Sequence, residues 1–454
     1  MKIGIELHEA TNGNFSGINL SFTDLDKKEH KVPLILRSFV NIYDLKKASK
    51  SIEFDLFLIS TLVYGVDNLI DREFYSVDGW ARELEVDFPV YNIKEWKGQE
   101  KVLEDALKFL TGDYWKINFI ENKIKNYFKE TKRRWNVNKR SFDVGKIKTT
   151  SLFSGGLDSL IGVIDELEKL SVDEEILLVS HFDFKSPGPN QDQNSLFTKL
   201  KAKYPKKIKD NWIQIKLALN RHDINEEELK LESNYRSRSF FFIGLGCLVS
   251  PSSNLIIPEN GTISINYPLT PSRVSSLSTR TTHPFVIGKL QELLNNLNIN
   301  IKLDNPYKFD TKGDMVINCS NKSLLKEILE LSTSCGKPGR KQNWKNKNTK
   351  HCGTCMPCVY RRASLNKAGE DNQVYGNDIT SPLSRDSFVD LPAVINFLTK
   401  NISVEKMKQD ILINGSVPMS DLDKYATLVL NSKKEVLSLF KSKGNQFIKD
   451  ELEI

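Results

Sequence analysis

Ser154-Gly155-Gly156-Leu157-Asp158-Ser159 is the stretch whose residue types and order most directly imply chemistry. It follows the β-branched and apolar run 149–153. After it, Leu160, Ile161, Val163, Ile164, Leu167 and Leu170 recur mostly at helical spacing. Two glycines let backbone N–H groups approach a phosphate with no Cβ in the way. A helix start adds unsatisfied donors and a partial positive charge. Ser154 and Ser159 offer hydroxyl donors, and Asp158 suits a Mg²⁺ that neutralises phosphate charge. No Gly-Lys-Ser/Thr follows the glycines, so this is not a Walker A loop. The plain alternative is a strand–turn–helix with serine as N-cap and glycine in the turn.

A second constellation is Cys335 with Cys352-Gly353-Thr354-Cys355-Met356-Pro357-Cys358, which together hold four of the six cysteines. Four thiolates at this density suit a tetrahedral, closed and therefore structural Zn²⁺. Disulfides fit less well: no signal peptide is read at the chain start, and a cytoplasmic location keeps thiols reduced. An iron–sulfur cluster is the rival that cysteine spacing alone does not separate from zinc. His351 is expected at the surface, and Cys247 and Cys319 as buried small hydrophobes.

The elements that must position these residues alternate. Strand-like runs at 148–153, 176–182, 212–217 and 255–258 are separated by helical stretches at 159–170, 191–203, 234–250 and 284–297. That order predicts an α/β parallel sheet with helices on both faces. Ligands bind beyond the carboxyl ends of such strands, where the Ser154 loop falls. His181 and Asp183 end the second strand on the same edge and are candidates to shape an adenosine site.

The chain divides into an N-terminal α+β domain (1–140), a catalytic domain (145–378) and a helical C-terminal region (379–454). In the first, 2–7 and 32–36 read as strands, 102–110 as a helix, and 54–66 as a buried helix or strand that periodicity alone leaves undecided. His8, with Glu6 and Glu9, reads as surface. The last region carries helical stretches at 391–398, 404–413, 421–431 and 434–441 and reads as packing without chemistry.

Of 454 residues, 39% are hydrophobic, enough for real cores, and the net charge of +7 from 65 basic and 58 acidic residues does not by itself imply nucleic acid. The longest apolar run, 240–249, is too short to cross a membrane. Basic residues cluster at 123–148 (Lys132-Arg133-Arg134 and Lys139-Arg140, with Trp135). They cluster again between Cys335 and Cys352 (Lys337, Arg340, Lys341, Lys345, Lys347 and Lys350, with Trp344). Such segments can grip a phosphate backbone, but a solvated linker and loop are the favoured reading, and nucleic acid is not the favoured partner.

Together the Ser154–Ser159 loop and the cysteine group resemble the 7-cyano-7-deazaguanine synthase family, the QueC-like PP-loop ATP pyrophosphatases. The resemblance runs from about 148 to 369. Arg236-Ser237-Arg238-Ser239-Phe240-Phe241 is similar to an arginine-led helix of that family. Asp310-Thr311-Lys312-Gly313-Asp314-Met315-Val316 resembles its threonine–lysine segment, and Cys358-Val359-Tyr360-Arg361-Arg362 its cysteine–arginine ending. The family's Tyr-Gly-Gln after the second strand is replaced by 179–186. Its base-pocket segments are replaced by Pro258-Glu259-Asn260-Gly261 and 278–284.

The resemblance implies ATP, Mg²⁺ and Zn²⁺ as cofactors, and adenylation of a carboxylate such as 7-carboxy-7-deazaguanine with release of pyrophosphate. Ser154, Gly155, Gly156, Asp158 and Ser159, helped by His181 and Asp183, are then expected to bind the nucleotide. Asp158, Lys312, Arg238 and Arg280 are expected to stabilise charge, and Cys335, Cys352, Cys355 and Cys358 to hold the metal. The extra N-terminal unit and altered pocket resemble relatives that serve in antiphage defence, which implies a partner protein as acceptor amine. The alternatives are nitrile synthesis from ammonia, sulfur transfer to tRNA or DNA, and an inactive scaffold. Deleting 1–140 is expected to spare ATP chemistry on a free acid.

Overall fold

The computed structural model describes residues 1–8, 17–37, 50–124, 143–183, 187–233, 236–269, 280–382 and 390–454. The basic cluster around Trp135 lies outside these residues.

The protein is α/β, and its strands form one ten-stranded, mostly parallel sheet. In chain order they are β1 (Lys2–Leu7), β2 (Ile18–Thr23), β3 (Glu29–Arg37), β4 (Glu83–Val90), β5 (Tyr114–Glu121), β6 (Ile147–Leu152), β7 (Glu175–Phe182), β8 (Trp212–Leu219), β9 (Asn254–Ile256) and β10 (Lys302–Asp304). Their spatial order is β10-β9-β6-β7-β8-β3-β2-β1-β4-β5. In the parallel half, β10 to β8, the strands β6 to β9 have the alternation read from sequence. β3 then pairs antiparallel with β8, Leu34 opposite Leu219 and Arg37 opposite Lys216, so the N-terminal strands continue the same sheet. β2, β4, β5 and the three-residue β10 escape the sequence reading, although 83–90 and 114–121 alternate apolar and polar residues, the period-two signal of half-buried strands.

β7 shows why both faces are covered. Every residue of Glu-Ile-Leu-Leu-Val-Ser-His-Phe is buried. Ile176 and Leu178 join one core with Leu160 and Ile164 of α3 (Leu157–Lys169) and Leu196 of α4 (Pro187–Lys203). Leu177 and Val179 join the other with Phe57 and Leu62 of α1 (Ile52–Leu69) and Phe241 and Leu245 of α5 (Arg238–Val249). Successive strand side chains point to opposite faces, so a doubly covered strand is apolar along its middle, here Ile176 to Val179, and its buried Glu175 and Ser180 are hydrogen-bonded.

The undecided stretch 54–66 is the helix α1. Ser51 caps it, accepting from Phe54 N at 3.2 Å, and Glu53 and Asp55 lie in its first turn. It is buried almost all round because it is wedged between the sheet and α5.

A buried ionic network joins the N-terminal strands to α5. Arg82, just before β4, donates to Asp67 Oδ1 and Asp113 Oδ2, each at 2.6 Å, and Arg72 donates to both oxygens of Asp113. The other oxygen of Asp67 accepts from Ser237 N (2.9 Å) and Ser237 Oγ (2.6 Å), just before α5. Deletion of 1–140, expected from sequence to spare ATP chemistry on a free acid, would expose the β8 edge and strip this network.

Past β10, α7 (Lys312–Asn318) and α8 (Met356–Lys367) support the site, with α6 (Pro284–Asn296) against α2 (Glu100–Thr111). The tail holds α9 (Leu391–Thr399), α10 (Val404–Asn414), α11 (Leu422–Lys443) and α12 (Gln446–Leu452). The two stretches expected at 421–431 and 434–441 are the single helix α11. Its Glu435 accepts from Thr311 Oγ1 and from Lys367 Nζ, so the tail braces the start of α7.

Candidate active site and metal centre

The Ser154–Ser159 loop joins β6 to α3 at the carboxyl edge of the parallel strands, as expected. Gly155 has φ +87°, a left-handed conformation that a side chain would strain. A Cβ there would also come within 3.1 Å of Gln193 Cγ. Gly156 is the N-cap of α3 and no side chain caps the helix, so its first N–H groups have no side-chain acceptor. Ser154 Oγ donates to Ser159 Oγ (3.1 Å), which donates to Gly156 O (3.0 Å), while Gly156 N donates weakly to Ser154 Oγ (3.3 Å). Gln193 Nε2 ties Ser154 O (3.1 Å) to His181 O (3.2 Å). A left-handed glycine, an uncapped helix start and two hydroxyls form a cradle suited to an anion.

Asp158 is buried in the first turn of α3. The structure brings it to Lys312, 154 positions away in sequence, whose Nζ donates to Asp158 Oδ1. Asn260 Nδ2 donates to the other oxygen at 2.7 Å. Burial works against the charge of Asp158, but the Lys312 ammonium holds its carboxyl below the usual range. Glu259 goes the other way: burial and the neighbouring Asp158 charge push its carboxyl well above the usual range, and the two carboxyls are hydrogen-bonded. A carboxylate pair sharing a proton beside one lysine is a site that a divalent cation could enter by displacing the proton. Thr311 holds Lys312 in place through a capping box with Asp314.

The other expected residues are placed differently. The His181 ring is buried between Tyr64 and Phe241, edge-on to both, with centroids at 5.6 and 4.8 Å. Burial and Arg238 push its pKa well below the usual value, so it is a neutral core residue and only its carbonyl reaches the loop through Gln193. Asp183 lines a cleft of about 640 Å³ with Tyr64, Asn68, Arg221 and Lys230. Arg238 opens α5, half-buried beside His181. Arg280 is turned to α2: it stacks on Phe109 at 4.4 Å and donates to Phe109 O at 3.3 Å. Arg236 donates to Thr111 O (2.7 Å) and lies over Trp80, which makes it a structural residue.

The four cysteines converge, with all four sulfurs within 4.8 Å of one another. Cys352 and Cys358 sulfurs are 3.7 Å apart. That is far beyond a disulfide bond and close to the edge of a tetrahedron of Zn–S bonds of about 2.3 Å, about 3.8 Å. Gly353 makes the turn at φ +87°, and Cys355 N donates to Cys352 Sγ at 3.2 Å. This is a site that could bind a metal ion such as zinc. The arrangement suits one ion better than a multi-iron cluster, which holds its thiolates apart by its own width.

His351 is buried, contrary to the surface position expected. Its Nε2 accepts from Ser334 N (3.2 Å), and burial, with Arg361 and Lys350 nearby, lowers its pKa to about 3. Trp344 is packed on the thiols, Lys350 pairs with Asp192 (2.7 Å), and Lys345 donates to Pro382 O (2.7 Å). The insert thus turns its aromatic residue inward. Cys247 and Cys319 are buried as expected.

Glu259 and Asn260 could be suspected from sequence, because they follow a strand at the same carboxyl edge. Gln193 and Thr333, which hydrogen-bond the loop, carry no such signal. Neither a comparison with family models nor one with curated proteins finds a match to this chain. Among the described residues no helix is long and apolar enough to cross a membrane.

Proposed function

We propose that the chain is a PP-loop ATP-dependent ligase of the deazaguanine synthase type. It adenylates a carboxylate, 7-carboxy-7-deazaguanine or a close analogue, and transfers the acyl group to an amine. The observation that carries the reading is the pairing of Asp158 with Lys312, with Glu259 beside them, directly under the glycine loop. Loop N–H groups, Ser154 and Ser159 bind the triphosphate. Asp158 and Glu259 would hold Mg²⁺, which offsets phosphate charge when bound. Lys312, released from Asp158 by that exchange, faces the anionic reactants.

The acid's oxygen attacks the α-phosphorus and forms an O–P bond. The bond to the bridging oxygen of the β-phosphate breaks, and pyrophosphate leaves with the electron pair. An amine then attacks the acyl carbon, AMP departs and the amine loses a proton. The departures from the family's base pocket support a partner protein, in antiphage defence, as the amine source.

With ATP, Mg²⁺, 7-carboxy-7-deazaguanine and an amine such as ammonia the protein should release AMP and pyrophosphate, and neither when the acid is left out. ADP and phosphate as the principal products would overturn the proposal. Intact-mass analysis of co-expressed neighbouring proteins tests the acceptor: one should gain the acyl mass.

A further inference from the structure

One continuous set of contacts joins the four-thiol centre to the glycine loop. Residues 332–335 form a strap ending in the ligand Cys335. Within it, Thr333 donates its backbone N–H to Gly155 O at 3.1 Å. The carbonyl of Gly155 and the N–H of Gly156 belong to one planar trans peptide and point in opposite directions. Pinning the carbonyl to the strap therefore turns the Gly156 N–H inward, where Ser154 Oγ accepts it at 3.3 Å.

The strap is in turn gripped by Arg361, three residues after Cys358 on α8 and fully buried. Arg361 Nη1 donates to Ser332 Oγ (2.9 Å) and Ser334 Oγ (3.2 Å), and Nη2 donates to Leu329 O (2.8 Å). A second tether leaves the insert. Lys350 pairs with Asp192, next to the Gln193 that holds Ser154 O.

We infer that the metal centre is a positioning device for the loop. By tying Cys335 to the start of α8, a bound ion fixes the strap against Arg361, and the strap sets the peptide that aims the loop's donors. Arg361 is the positioning residue. Without the ion nothing ties Cys335 to Cys352, Cys355 and Cys358, so its removal releases the strap before it disturbs the distant strands β1 to β5. The inference rests on the loop being a nucleotide site, but its first readout does not.

The test is hydrogen exchange of peptides covering 153–160 together with equilibrium binding of Mg-ATP. The samples are the metal-loaded protein, the chelated protein, Arg361→Lys, and a Ser332→Ala/Ser334→Ala variant that keeps all four cysteines should Arg361→Lys fail to fold. Chelation and either variant should speed exchange of the loop amides and weaken ATP binding about tenfold or more, the scale of one lost positioning hydrogen bond to a charged ligand. The variants should keep the metal content and the exchange of β1 to β5 unchanged. Unchanged loop exchange in a metal-free or variant protein overturns the inference. Faster loop exchange in a protein that never bound ATP leaves the coupling standing and removes the nucleotide reading instead.

Discussion

Replacing Arg82 by methionine tests how the N-terminal strands are joined to the rest. The guanidinium is fully buried and donates to the Asp67 and Asp113 carboxylates and to the carbonyls of Asp67 (2.9 Å) and Ile70 (2.5 Å). Burial alone would lower its pKa, but Asp113 and Asp67 hold it above the usual value. Arg82→Met leaves Asp113 with Arg72 and Asp67 with Ser237, so one buried negative charge loses its partner. Breaking a buried pair in this way costs about 3–5 kcal/mol. In a chain of this size, at about 1 °C per kcal/mol, Tm should fall by about 3–5 °C.

The loss should depend on pH. Burial opposes ionisation of Asp113, yet Arg82 and Arg72 hold its carboxyl below the usual range. Its stabilisation is thus present above an unfolded pKa of about 3.9 and lost as pH falls through the lower folded value. The gap between wild type and variant should narrow as pH drops below about 4. Thermal unfolding followed by circular dichroism at pH 7 and in acid is the assay. A fall under about 2 °C, or a gap that widens in acid, would refute the reasoning.

Residues 143–454 expressed alone should fail to give a cooperative unfolding transition, because the β8 edge and the core beneath α1 are exposed. A folded, monomeric fragment on gel filtration would contradict this. Glu259, held protonated by burial and Asp158, favours stability below its unfolded pKa and loses that contribution as pH rises through its raised folded value. Glu259→Gln should flatten that fall in Tm with rising pH and weaken Mg²⁺ binding in titration calorimetry. Cys355→Ser should lose the single equivalent of metal seen by elemental analysis and should lower soluble yield more than it changes nucleotide products, since ligation energy is folding energy.

Strands β6 to β9 of the parallel half were readable because helical stretches separate their apolar runs and the glycine loop marks their carboxyl edge. Asp158 and the cysteines were readable because their spacing is local. The Asp158–Lys312 contact was foreseeable only as an acid and a cation assigned to one chemistry, since 154 positions separate them. His181 was misjudged because strand position places a backbone at an edge but not a side chain. Leu177, Val179 and His181 share one face, and that face is filled by α1 and α5. The joining of β3 to β8 was not readable, because antiparallel pairing of Leu34 with the distant Leu219 leaves no local pattern. Trp344 and His351 looked exposed amid lysines, but the thiol centre needs an apolar wall, and these residues supply part of it.

The central claim is reversible attack of a carboxylate on the α-phosphorus over this loop, and exchange of labelled pyrophosphate into ATP measures it directly. The account predicts exchange that requires both Mg²⁺ and the carboxylic acid, and that falls about a hundred- to a thousandfold in Asp158→Asn while the fold is kept. Label that never enters ATP, or exchange that Asp158→Asn leaves intact, would contradict it.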